Sequence, residues 1–217
     1  MKEIIVIGAG GHAAEVDEYL RLTHVKRESE DYTVIGFIDD NPDSYNQYLF
    51  GAPYLGTIKE HQIDRDKHYI IAIANIAYRK PIVNRFVLEG AQFMTFIHSA
   101  AYVSPTAKIG RGVIIAPFVN IGPNVAVGDF TLINARASIG HDTRLGSHNF
   151  ITPNVCFSGF TSVGDENLFG INSATIPGIS VGSRNKIAAG MVLDKNIGDD
   201  SVVFHRFKEK VIAIPGT

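Results

Sequence analysis

An excess of charge of one sign, a second cysteine and a long apolar run are all missing from this sequence. Its 20 Lys and Arg against 22 Asp and Glu leave a formal charge of -2. The charges are interspersed, so there is no basic field for nucleic acid and no polybasic segment for a membrane. A single cysteine, Cys156, excludes an internal disulfide. The start MKEIIVIGAGGHAAEV has too short an apolar run and too much glycine for a signal peptide or a span, which makes the cytoplasm the expected location. The 217 residues, 45% hydrophobic, hold enough apolar material for one large soluble domain or two small ones. Small molecules are the expected partners.

The first 98 residues alternate short apolar runs with amphipathic stretches, the pattern of strands joined by crossover helices. EIIVIG, TVIGFIDD, YIIAIAN and QFMTFIH read as strands, and GHAAEVDEYLRL and RKPIVNRFVLEG as helices, with Pro81 in a first turn. Near-continuous Ile and Val runs fit a parallel sheet covered on both faces. Residues 41 to 54, rich in Asn, Pro, Asp and Tyr, read as a loop. A small α/β domain is expected over 1–98.

From Val103 a six-residue period takes over. Every sixth position from 103 to 193 is large and apolar except Thr175, fifteen of sixteen. The next residue is Gly in eight cases and the one after is Pro in five, so each hexad ends in a corner. Four residues beyond each apolar position sit mostly small side chains able to fill a tight coil. The period predicts a parallel β-helix over 99–200, each turn about 4.8 Å from the next, with a final strand in the tail 201–217. Handedness is not readable from the period.

With three hexads per turn, the corner slot of His141 recurs as Pro105, Pro123, His141, Gly159, Pro177 and Lys195. Turn-formers dominate that column, and the period requires no histidine in it. Asp142 follows, a carboxylate able to fix the tautomer of an imidazole, and Gly159 leaves room on the next turn. His141 is therefore the candidate base and Asp142 its orienting partner. Cys156 has no adjacent base and reads as structural.

At this point the chain resembles the bacterial NeuD-like sugar acyltransferases, which include N-acetyltransferases of nucleotide-linked 4-amino sugars. The motifs are VIGAGGHA, FIDD, IAIAN-IAYRK, FIHSAAYVSPTAKIG, INARASIGHD and FGINSATIPGISVG, spanning nearly the whole chain. The resemblance implies a left-handed, triangular coil and a homotrimer with active sites between coils. It implies acetyl-CoA as cosubstrate and His141 as general base with Asp142 beside it. It also implies Asn134 at the active site and backbone near Gly159, Ile171, Ala188 and Ala189 lining the pantetheine channel. Direct transfer to an amine is the expected reaction, with the Gly159 amide as candidate oxyanion donor; O-acetylation of a sialic acid or related hydroxyl is the alternative. Lys186 and Lys195 are open between CoA phosphates and plain surface. Two departures stand out: Phe150-Ile151-Thr152-Pro153 replaces a second-histidine stretch, and SVVFHRFKEKVIAIPGT replaces the usual end.

In the front half, GAGGHA between a strand and a helix matches a dinucleotide fingerprint, with Asp39 and Asp40 ending the next strand. Only half a dinucleotide fold follows. A nucleotide-sugar pyrophosphate on the N–H groups of Gly8, Gly10 and Gly11 fits that half, with Asp39 or Asp40 on the base or ribose. The resemblance puts His12 near the sugar, while a helix-capping role is equally open; Arg79 is open between nucleotide and solvent. No metal is expected, because His141 and His148 alone fall short of the three ligands of a β-helical zinc enzyme. An NAD(P)-dependent oxidoreductase and a scaffold are the other rivals. Val113, Ile114 and Leu132 are expected to face outward and favour association.

Overall fold

The structure, a computed structural model, describes residues 2–23 and 32–205. Its first part contains β1 (Lys2–Ile7), α1 (Gly11–Thr23), β2 (Tyr32–Ile38), α2 (Pro42–Asn46), β3 (Tyr54–Gly56), β4 (His68–Ile71), α3 (Ile76–Leu88) and β5 (Gln92–Phe93). The five strands are parallel in the order β3-β2-β1-β4-β5. A parallel sheet has to be covered on both faces, and β1 shows how. Ile4 and Val6 pack with Ala13, Val16 and Leu20 of α1 on one side. Ile5 and Ile7 pack with Val83 and Phe86 of α3 on the other.

Three local expectations change. The segment read as a loop holds α2, where Asn41 accepts from the Asp43 N–H at 3.1 Å and Pro42 fills the first turn. Tyr54 then opens the edge strand. Helix α3 begins at Ile76 rather than Arg79, because Asn75 caps it by accepting from Ala77 N–H at 3.0 Å. Pro81 consequently lies inside the helix and not in its first turn.

The run 92–98 is two strands, not one. Gln92–Phe93 completes the open sheet, whereas Phe96–Ile97 pairs with Ile114–Ile115 and starts the coil. From there the chain winds as a left-handed parallel β-helix with three faces of seven, six and five two-residue strands. Partners lie eighteen residues apart, as Asn120 does from Ser138 and Ser138 from Cys156. The apolar hexad positions point inward: Ile115, Ile121, Ile133, Ile139, Ile151, Phe157 and Phe169 form one continuous core. Where the small inward residue is Asn, the side chain knits successive turns. Asn149 Oδ1 accepts from Asn167 N–H, and Asn167 Oδ1 from Asn185 N–H, each at 2.9 Å.

The seven-strand face carries the front domain. Ile114 and Leu132 do point out of the coil, but they are buried in the same core as α1 and β1. Val113 is an inward residue. Their apolar character is thus satisfied within one chain and is no argument for association. The final strand of the tail is Val202–Val203, beside Lys186–Ile187; residues 206–217 lie outside the described residues. Among the described residues no helix is long and apolar enough to cross a membrane.

Candidate active site

The corner that carries His141 is a short column of left-handed residues. Asn124, Asp142 and Phe160 have φ of 58°, 57° and 58°, which turns the chain sharply between two faces and throws the preceding side chain outward. His141 is therefore presented to solvent with more than half of its side chain exposed. Its Nδ1 lies 2.8 Å from Asp142 Oδ2. With the carboxylate accepting from Nδ1–H, the lone pair is left on Nε2. The second carboxylate oxygen accepts from Asn124 Nδ2, one turn below, at 3.1 Å. The His141 ring, and after it the Asn124 amide, hold the Asp142 carboxyl below the usual carboxylate range. Phe160, itself largely exposed, meets the imidazole edge to face at 5.0 Å.

Gly159 fits under the ring. A methyl group on its Cα would come within 2.7 Å of both Cε1 and Nε2. Its N–H has no backbone acceptor among the described residues, so Nε2 and this N–H are both free on the same corner. A base and an anion-stabilising donor side by side are what acyl transfer requires.

The other expected residues are distributed as follows. Ile171 and Ala189 sit one above the other at the opposite edge of the His141 face, where Gly190 N–H donates to Ile171 O at 2.8 Å. Ile171 and Ala189 are exposed, Ala188 is half-buried, and Lys186 and Lys195 are exposed. Asn134 is on that same far edge, and its Oδ1 accepts from Ala135 N–H at 2.7 Å. Within one chain Asn134 and His141 thus occupy different corners and do not meet.

The fingerprint glycines lie at the C-terminal end of β1. Gly8 has φ of 104°, and a Cβ there would strike Ile73 and the Ala72 carbonyl, so no other residue fits. Gly10 faces open space and Gly11 the Tyr48 hydroxyl. His12 Nδ1 pairs with Glu15 at 3.1 Å while its Nε2 is unpartnered. Asp39 is a brace: its two oxygens accept from Ala9 N–H at 2.7 Å and Asn41 N–H at 2.8 Å. Asp40 is exposed and uses Oδ1 for Lys59 N–H at 2.9 Å, leaving Oδ2 open.

Arg79 is neither a nucleotide contact nor a solvated cation. It is only 1% exposed, and its guanidinium donates to the backbone carbonyls of Phe130 and Asn149 in the coil. Burial pushes it down to about 10. It sits on the face of α3 that also presents Val83 and Phe86, so it ties the helix to the coil. Three residues the sequence did not single out belong to the His141 corner: Asn124, Phe160 and Thr175. Asn124 and Phe160 are in register with Asp142 once the eighteen-residue column is drawn, and Thr175 is the one polar residue in the apolar series.

Residues 3–86 match the PglD N-terminal domain family. Most of the chain superposes on the PglB acetyltransferase domain from Neisseria gonorrhoeae FA1090 in complex with acetyl coenzyme A. The TM-score is 0.82 at 26% identity, covering 93% of this chain and 95% of that one. Over nearly its whole length the chain is thus similar to known acetyltransferases. Perosamine N-acetyltransferase from Caulobacter crescentus, solved with CoA and GDP-perosamine as a His-to-Asn variant, gives a TM-score of 0.78 at 26% identity with 93% of both chains covered. UDP-N-acetylbacillosamine N-acetyltransferase from Bacillus subtilis (strain 168) is 29% identical over 118 residues, 53% of this chain. That alignment spans about half, 51%, of the curated relative.

Proposed function

We propose that this protein is an acetyltransferase that moves an acetyl group from acetyl-CoA to the amino group of a nucleotide-linked 4-amino-deoxy sugar. The observation that carries the proposal is the free Nε2 of His141 beside the free N–H of Gly159. The solved proteins that share this architecture over 93% of the chain were determined with CoA or acetyl-CoA, and one with GDP-perosamine.

His141 Nε2 takes a proton from the attacking amino group, whose nitrogen bonds to the thioester carbon. The carbonyl oxygen becomes an oxyanion facing the Gly159 N–H. Collapse breaks the C–S bond, and the imidazolium returns a proton to the departing thiolate. When the sugar starts as an ammonium, one further proton goes to water. Asp142 holds the tautomer and balances the imidazolium charge. No group on the enzyme is acylated, so exposed Cys156 has no role.

The front domain supplies the nucleotide subsite. Pyrophosphate rests on the backbone at Gly10 and Gly11 at the start of α1, whereas the Gly8 N–H, expected from the sequence to join them, is spent on the Ile38 carbonyl at 2.8 Å; Asp40 lies on the base or ribose. The protein works in the cytoplasm as a homotrimer, in which a neighbouring coil brings Asn134 to His141. The exposed Tyr102, Phe118 and Phe160 on the coil support that assembly.

A thermal-shift panel of UDP-, GDP- and dTDP-linked 4-amino sugars, each with and without acetyl-CoA, tests the reading. Stabilisation by one nucleotide sugar, followed by an N-linked acetyl group in the product by mass spectrometry, is expected. An acetyl ester, or acetyl-CoA left unchanged with every sugar, contradicts it.

A further inference from the structure

Thr175 breaks the apolar series at the turn above Gly159. It is 4% exposed inside a coil whose equivalent positions are aliphatic or aromatic. A hydroxyl costs stability there unless it is fully hydrogen-bonded, and its partners are Ser158, the residue before Gly159, and Thr161, which itself bonds Ser158. Ser158 N–H donates to Thr175 Oγ1 at 3.1 Å, and Ser158 Oγ donates to the Thr175 carbonyl at 2.7 Å. Thr161 Oγ1 donates to the Ser158 carbonyl at 2.7 Å, so its only proton is used. The 2.9 Å contact between Thr161 Oγ1 and Thr175 Oγ1 must then be Thr175 donating. Thr143 Oγ1 adds a longer bond to the same carbonyl, 3.3 Å.

These donors and acceptors close a ring: Ser158 N–H to Thr175, Thr175 to Thr161, and Thr161 back to the Ser158 carbonyl. Both peptide groups flanking Ser158 are fixed by it. In a trans peptide the C=O and the following N–H point in opposite directions. Because the Ser158 carbonyl is pulled in toward buried Thr143 and Thr161, the Gly159 N–H is turned away from them, to the outer side of the corner that carries His141. The structure assigns to Thr175 and Thr161 the positioning of the Gly159 N–H as oxyanion donor. This rests on the acyl-transfer reading of the His141 corner.

Two substitutions separate hydrogen bonding from packing. Thr175→Val keeps the shape and deletes the hydroxyl; Thr175→Ser keeps the hydroxyl and deletes a methyl. The assay uses acetyl-CoA with the 4-amino-sugar nucleotide that the wild type acetylates, alongside the Gly159 amide resonance in ¹H–¹⁵N spectra. Loss of an oxyanion donor costs on the order of 10²–10³ in kcat. A misaligned one is expected to cost about tenfold in T175V, with KM for acetyl-CoA unchanged and the Gly159 amide shifted. T175S is expected to restore kcat and the amide position. Equal losses in both variants would assign Thr175 to packing and overturn the proposal, as would wild-type kcat in T175V. His141→Asn is the control for the underlying reading. If it retains turnover, that reading fails; if it is inactive while T175V is normal, only the positioning role fails.

Discussion

The imidazole of His141 lies directly against the bare Cα of Gly159, close enough that a methyl group there would reach Cε1 and Nε2 at 2.7 Å. Gly159 is not in the left-handed region, so its backbone tolerates alanine and the ring has to yield. Gly159→Ala should leave the melting temperature within a degree or two while kcat falls by about 10²-fold or more, the size of general-base assistance. Steady-state kinetics beside a thermal melt checks this.

Asn124 should matter through Asp142 alone. Its amide pins the carboxylate oxygen that His141 does not use. Asn124→Gly suits the left-handed corner and removes only that donor. The expected result is a drop in kcat of roughly threefold to tenfold, an orientation effect well short of losing the base, with KM for acetyl-CoA unchanged. A changed KM with intact kcat would assign Asn124 to the channel instead.

The two carboxylates that follow β2 should separate in their effects. Asp39 is spent on the Ala9 and Asn41 N–H groups, so Asp39→Ala lowers stability by about 1–3 kcal/mol, the cost of stranded partners. Asp40→Ala leaves only the exposed Lys59 N–H to turn to water, so the melt changes little while the nucleotide binds more weakly. Denaturant melts and calorimetric titration with the nucleotide diphosphate distinguish them.

His148 gives the fold a pH dependence. Burial, then the nearby cations Arg79 and Lys80, hold it below its ordinary value, so the folded chain binds this proton less tightly than the unfolded chain. The neutral ring's contribution is complete above about pH 6.5 and is lost as pH falls through that value toward the lowered one. His148→Asn, which suits the φ of 58° there, should flatten the fall in melting temperature between pH 7.5 and pH 5.5.

The coil was legible because one constraint repeats: each turn needs an aliphatic residue inward, a small residue inward and a corner, and sixteen repeats leave no other period. His141 was legible as a break in its column. The ring of Ser158, Thr161 and Thr175 was not, since it depends on which hydroxyl reaches which carbonyl across turns. Thr175 nevertheless announced itself as the one polar residue of its series. Arg79 misled because a cation is ordinarily solvated; the helix phase set by Val83 and Phe86 would have placed it inward. The coil's start at Phe96 was hidden because 92–98 is one apolar run, split only by pairing with different sheets.

The most direct test is single-turnover acetyl transfer by the wild type and by His141→Asn, with acetyl-CoA binding measured on both. A loss of about 10²–10⁴-fold in the transfer rate with acetyl-CoA affinity unchanged is expected. Transfer by His141→Asn at the wild-type rate would contradict the account.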